Sequence, residues 1–174
     1  MLVENEVNLV ALAEHRLGAA RGQENFALIA YGPGVGMAVF LDGRLRRGRS
    51  GGAGELSYLP VGLEGGPYHR AIDTWTTASG DFLREGGPEA LDRMAEVVAF
   101  GVVGACAVLD PGFVVLAGHH GRAGGAALAE RVAERIGVAI PLPTRVVAAA
   151  VDGDPVVRGA VQVALERLLD QTFS

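Results

Sequence analysis

The sequence predicts a single α/β domain, and three features carry that prediction. Two apolar β runs, Asn25–Ala30 and Val35–Leu41, flank a Gly32-Pro33-Gly34 turn near the start. Helical and strand patterns alternate from Pro88 onward, and no repeat, low-complexity linker or composition break divides the 174 residues. At 18.0 kDa with 49% hydrophobic residues, the chain can bury one sizeable core.

Each element has its own local reason. Over Glu4–Leu17, Val7, Val10, Ala11, Ala13 and Leu17 recur at helical spacing, and Gly18 supplies the stop. After the strand–turn–strand, Asp42-Gly43 signals a hairpin into Arg44–Arg47, and the glycines from Gly48 to Gly54 permit a tight excursion ending at Glu55. Val61–Gly80 is the least regular stretch and reads as a loop followed by a short helix through Trp75. Pro88 suits the first turn of a helix with acidic Glu89 and Asp92, running through apolar Val97–Cys106 to Leu109 as a central element. Asp110-Pro111-Gly112 turns the chain into a strand at Phe113–Leu116. Gly118–Gly121 leads to an alanine-rich helix near Ala123–Ile136, followed by a strand around Val138–Leu142. Val146–Val151 fits either a strand or a short helix. Asp154 as N-cap and Pro155 at the first position open a last helix to Leu169.

Composition excludes several functions. The longest apolar candidate, Ala95–Leu109, is shorter than the ~18–20 residues of a membrane span and reads as a buried helix. Met1 is followed by acidic residues and not by a basic signal-peptide region, so a cytoplasmic location is expected. A formal net charge of −5 and a pI near 5.3 argue against a nucleic-acid surface on this segment. Every basic side chain among the 15 is Arg, which rules out lysine chemistry within the chain. The single cysteine, Cys106, excludes an internal disulfide and reads as an inert core thiol.

The runs VENEVN at Val3–Asn8 and YGPGVGMAVFLDGRLRRGRSGGAGELSY at Tyr31–Tyr58 resemble the ROK family, which groups sugar kinases with sugar-responsive repressors. The family writes these motifs roughly as E-N-D-A-N, G-T-G-V-G and G-A-G-E-I-G-H. The resemblance covers essentially the whole chain and is most specific at Val3–Asn8 and Gly32–Tyr58. It implies the C-terminal lobe of the two-lobed actin-like ATPase, or sugar-kinase (ribonuclease H-like), fold. A mixed five-stranded sheet flanked by helices is then expected, with residues 1–174 forming one domain. Because the chain starts almost at the sugar motif, an N-terminal lobe and a helix-turn-helix domain are expected upstream of it.

The resemblance also assigns site residues. Asn5 matches the asparagine that holds a sugar hydroxyl. Glu6 stands at the position of the catalytic aspartate, where its extra methylene shifts the carboxylate by about 1 Å, enough to cost roughly a hundredfold in rate. Read on their own, Glu4, Glu6 and Glu14 acidify a helix start and a solvated face. Gly32, Gly34 and Gly36 match a phosphate loop, but Pro33 replaces its threonine and offers neither hydroxyl nor N–H; without the resemblance the run is simply a turn. Gly54 and Glu55 match the loop and the glutamate that accepts bonds from sugar hydroxyls. Tyr58 replaces a histidine that contacts the sugar and binds a structural zinc in many members.

No zinc is expected. The family's cysteine-rich zinc run should fall between Val61 and Ser79, where this chain reads VGLEGGPYHRAIDTWTTAS and has no cysteine. His69 and Asp73 at i, i+4 read as a solvated face, and Trp75 as packing or an apolar platform for a ligand. Val114–Gly121, VVLAGHHG, matches the strand and turn that cradle adenosine, with Ala117 replacing the first glycine and His119-His120 in a solvated turn. Arg44, Arg46, Arg47 and Arg49 form a basic cluster on an exposed hairpin. No D-x-G-x-T phosphate loop is present in the chain.

These substitutions point to a catalytically degenerate lobe that binds a sugar or sugar-phosphate effector and self-associates within a ROK-type transcriptional regulator. It needs no cofactor, contacts no membrane, and reaches DNA only through an upstream domain. A regulator requires only different ligand affinities in two states. The rival readings are a fragment of an ATP- and magnesium-dependent hexose kinase, in which Glu6 is the base, and a dimerisation scaffold that binds no ligand.

Overall fold

The structure is a computed structural model, and it describes residues 3–32, 34–59 and 85–173. Within them, α1 (Glu6–Leu17) precedes β1 (Phe26–Tyr31), β2 (Val35–Leu41) and β3 (Arg44–Arg46). A 3-10 turn at Leu56–Tyr58 follows, then α2 (Gly87–Leu109), β4 (Phe113–Ala117), α3 (Gly118–Ala139), β5 (Arg145–Ala148) and α4 (Pro155–Phe173). The five strands form one mixed sheet in the order β3-β2-β1-β4-β5. β1, β2 and β3 pair antiparallel, whereas β4 lies parallel to β1 and β5 parallel to β4.

Strand side chains alternate between faces, and both faces of this sheet are covered, so the central strands are apolar throughout. Phe26 and Leu28 of β1 join Val115 and Ala117 of β4 beneath α1 and α4. Ala27, Ile29 and Tyr31 join Val114 and Leu116 beneath α2 and α3. Leu28 and Ile29 are fully buried, each worth about 1.5–3 kcal/mol of transfer free energy. Tyr31 is buried too; its hydroxyl donates to the Val98 carbonyl at 3.2 Å, and burial raises the phenol above its ordinary pKa. Phe26 and Phe40 stack at 4.6 Å between ring centroids, and His15 of α1 lies over Phe40 at 4.8 Å.

Asn5 is the N-cap of α1, its side-chain oxygen accepting the Val7 N–H at 2.9 Å, so the helix begins at Glu6 and not at Glu4. At the other end of the chain Asp154 accepts from the N–H groups of Val156 (2.9 Å) and Val157 (3.1 Å), the cap expected for α4. In α2, Val98, Val102 and Cys106 are buried whereas Phe100 and Val108 are exposed, so only one side of this apolar helix is central. Burial raises the Cys106 thiol above its ordinary pKa, with Thr144 Oγ1 at 3.5 Å pulling the other way and Asp110 adding to the rise.

Three expectations change. α3 starts at Gly118, directly after β4; Gly118 has φ 76° and lies so close to the Tyr31 backbone that a Cβ there would meet the Tyr31 carbonyl oxygen at 2.3 Å, so only glycine fits. The helix path breaks at Gly125 (φ 52°) and continues to Ala139. The strand expected around Val138–Leu142 is absent: Val138 lies in the last turn of the helix, 91% exposed, and the strand lies at Arg145–Ala148, so the first half of the Val146–Val151 run is β. The short helix expected through Trp75 lies outside the described residues. No helix among the described residues is long and apolar enough to cross a membrane.

Candidate functional site

The three acidic residues of the first helix have three different environments. Glu6 is exposed in the first turn of α1. Glu14, expected on a solvated face, is fully buried. Its carboxylate accepts from the backbone N–H groups of Ala19 (2.7 Å), Ala150 (3.0 Å) and Val151 (2.8 Å), tying the end of α1 to the connection after β5. Arg122 holds the same connection by donating to the carbonyls of Val151 at 3.0 Å and Gly153 at 3.2 Å. Glu4 is also largely shielded, with 8% of its side chain exposed. It accepts from Asn8 Nδ2 at 2.8 Å, from Arg47 Nε at 2.7 Å and from the Asn5 N–H at 3.2 Å. Burial opposes its ionisation, yet the bonds from Asn8, Arg47 and the Asn5 amide outweigh it and hold the carboxyl below its ordinary pKa.

The motif segments converge on the first half of β2. Val7 of α1 packs on Gly36, where a Cβ would meet Val7 Cγ2 at 2.7 Å; this glycine is needed for helix–strand approach. The next residue, Met37, donates its N–H to the Gly54 carbonyl at 3.0 Å, so the glycine loop covers an edge that the short β3 leaves open. Gly54 adopts φ 87°, and a Cβ there would lie 1.9 Å from the Met37 carbonyl oxygen. Glu55 follows, exposed, at the entry of the 3-10 turn, with no side-chain cap bond.

Gly54, Glu55 and Tyr58 line one hollow of about 490 Å³ between β2, the 3-10 turn and the C-terminal half of α2. Its other walls are mainly apolar, from Met37, Val39, Leu56, Leu59 and Val108, and neither Asn5 nor Glu6 belongs to them. The two halves of the expected sugar site therefore approach β2 from opposite faces, joined at the edge by Glu4 and Arg47. In the glycine turn, the Gly32 N–H donates to the Gly34 carbonyl at 2.9 Å, so that amide is turned inward. Gly32 also approaches the first turn of α3, where a Cβ would lie 4.0 Å from the His119 N. Pro33, His69, Asp73 and Trp75 lie outside the described residues, as does the run where the family's zinc ligands would fall.

His119 is exposed as expected, but His120 is buried at 1% exposure. Because α3 starts at once after β4, the two rings leave a helical turn in different directions and stand edge-on, 87° apart. Sequence reading missed Glu4, Asn8, Arg47 and Glu14. The signal available for Glu4 was its i, i+4 relation to Asn8 on a helix start. For Glu14 there was none, since its partners are backbone amides far along the chain.

A mixed five-stranded sheet with helices on both faces, carrying a glycine-framed edge, defines a lobe of the actin-like ATPase and sugar-kinase class. Residues 1–70 match the ROK family. Over 66 residues the chain is 39% identical to a glucokinase of Halalkalibacterium halodurans, covering 38% of this chain and 20% of that protein. Over 65 residues it is 32% identical to the xylose repressor of Bacillus subtilis, covering 37% of this chain and 17% of that protein. The solved ROK hexokinase of Thermus thermophilus superposes with a TM-score of 0.75 at 26% identity, covering 96% of this chain and 65% of that one. The chain is therefore similar to the ROK family over residues 1–70 and shares the fold of a ROK hexokinase over nearly its whole length. The matched stretch spans about a fifth of these curated relatives' length.

Proposed function

We propose that this chain is the effector-binding and self-associating lobe of a ROK-type, sugar-responsive transcriptional regulator in the cytoplasm, and that it does not catalyse phosphoryl transfer. The observation that carries the reading is the kept frame with altered chemistry. Asn5 caps α1 and Glu55 stands exposed beyond the pinned Gly54, whereas Glu6, which the resemblance aligns with the base, is exposed in the first turn, and the Gly32 amide is turned into its own turn. Asn5 and Glu55 are the proposed contacts to sugar hydroxyls, with Gly54 shaping the loop and Tyr58 beside it. Glu6 accepts a further hydrogen bond and not a proton in catalysis. Gly32, Gly34 and Gly36 keep the shape of a phosphate loop without its hydroxyl. Neither zinc nor nucleotide is assigned. The likeness to the xylose repressor supports the regulatory branch.

A second reading rests on a specific observation as well. A glucokinase and a hexokinase are among the relatives, so the chain is alternatively part of an ATP-dependent sugar kinase. Incubation of the full-length protein that carries this lobe with ATP, magnesium and D-glucose, followed by detection of sugar phosphate, separates the two. Our reading expects no product. ATP-dependent phosphorylation that disappears in Glu6→Gln overturns it. A lobe that binds no sugar at all is the scaffold reading, decided by titration with sugars.

Self-association belongs to the same proposal. Val157, Val161 and Leu165 recur every four residues along α4 and are each about half exposed, a stripe suited to a second copy of the chain.

A further inference from the structure

The proposed sugar contacts lie on two segments that meet the sheet from opposite sides. α1 reaches β2 through Val7 against Gly36, on the face of Phe40 and Leu28. The turn after Glu55 reaches it through Leu56 beside Met37, on the face of Ile29 and Tyr31. A ligand held by both Asn5 and Glu55 requires that their relative position be fixed before it binds, since ordering two loose segments on binding weakens affinity.

Glu4 and Arg47 supply such a link. One oxygen of Glu4 takes the Asn8 amide and the Asn5 N–H, both on the start of α1. The other takes Arg47 Nε at 2.7 Å. At its backbone end Arg47 accepts the Ala53 N–H at 3.1 Å, closing the loop that delivers Gly54 and Glu55. An exposed ion pair usually contributes little, but this carboxylate is 8% exposed and holds three donors. Arg46, by contrast, pairs with Asp42 at 2.8 Å within its own hairpin.

We propose that Arg47, acting through Glu4, is a positioning residue that locks the Glu55 loop to the Asn5 end of α1, so that the two sugar contacts move as one body. Neither Glu4 nor Arg47 touches the sugar. The role for a sugar rests on the function proposed above; the mechanical link does not.

Amide hydrogen exchange on the ligand-free chain tests the link, comparing wild type with Arg47→Met, which keeps the apolar stem, and Arg47→Lys. In Arg47→Met the amides of Val7, Ala53 and Leu56 are expected to exchange about tenfold faster together, while those of Leu28 and Val115 stay unchanged. Arg47→Lys should fall between. Unchanged exchange in either segment overturns the coupling, and the core amides report whether the variant is folded. Calorimetry with D-glucose then tests positioning: Arg47→Met should weaken binding about tenfold, and equal affinity overturns that role. If the wild-type chain binds no D-glucose and no D-xylose, the sugar reading and the positioning role fall together, whereas exchange still decides the link.

Discussion

A methyl group at position 54 would have to occupy space 1.9 Å from the Met37 carbonyl oxygen, at a backbone φ of 87° that side-chain-bearing residues rarely adopt. Gly54→Ala must therefore break the Met37–Gly54 bond or distort the loop, and should cost about 3 kcal/mol or more in urea unfolding. Gly34→Ala meets nothing within 4 Å and should leave stability within about 1 kcal/mol of wild type. Glu4 gives a pH signature of known sign. Its folded-state pKa lies below the unfolded one, so the unfolded chain binds the extra proton and stability rises with pH across that interval. The contribution is present above the ordinary glutamate pKa, about 4.3, and is lost as pH falls through the lowered value. Thermal unfolding of Glu4→Gln from pH 6 down to pH 3 should fall less steeply than wild type. Parallel profiles would show that Glu4 is not held by Asn8 and Arg47.

At the scale of elements, Glu14 joins the end of α1 to the connection between β5 and α4. Gln at this position can offer one acceptor oxygen to the amides of Ala19, Ala150 and Val151, and places an NH₂ among donors. Glu14→Gln should destabilise by about 2–3 kcal/mol, measured by urea unfolding, and should speed amide exchange at Ala150 and Val151. Which elements were legible in the sequence follows from how local their causes are. α1, β1, β2 and the hairpin are punctuated by Gly18, the Gly32 turn and Asp42-Gly43, all within the segments they bound, whereas the Asn5 cap that moves the start of α1 to Glu6 shows only in the structure. The start of α3 falls in a run of Gly and His that carries no local helix signal, and the glycine at 118 is needed for close approach to the distant Tyr31 backbone. Val138–Leu142 was misread because an apolar run at a helix end has the composition of a short strand. For the candidate site, Asn5, Gly54 and Glu55 are nominated by their motifs alone. Glu4 and Glu14 are not, because burial is set by packing and their acceptors serve groups that no local pattern marks.

For the whole molecule, the described sheet and its covering helices form a two-sided core, while α4 keeps an apolar stripe on its outer side. If that stripe meets a second copy, light scattering should report a dimer that Val161→Asp with Leu165→Lys converts to a monomer without loss of helical circular dichroism. A wild-type monomer would remove self-association from the proposal. The central claim is that a kinase-derived frame has been kept to hold a sugar. Calorimetric titration of the chain with D-glucose and D-xylose, in parallel with Glu55→Ala, tests it most directly. The account predicts saturable binding of at least one sugar by the wild type and loss of that binding in Glu55→Ala. Absence of binding by the wild type, or equal affinity in the variant, would contradict it.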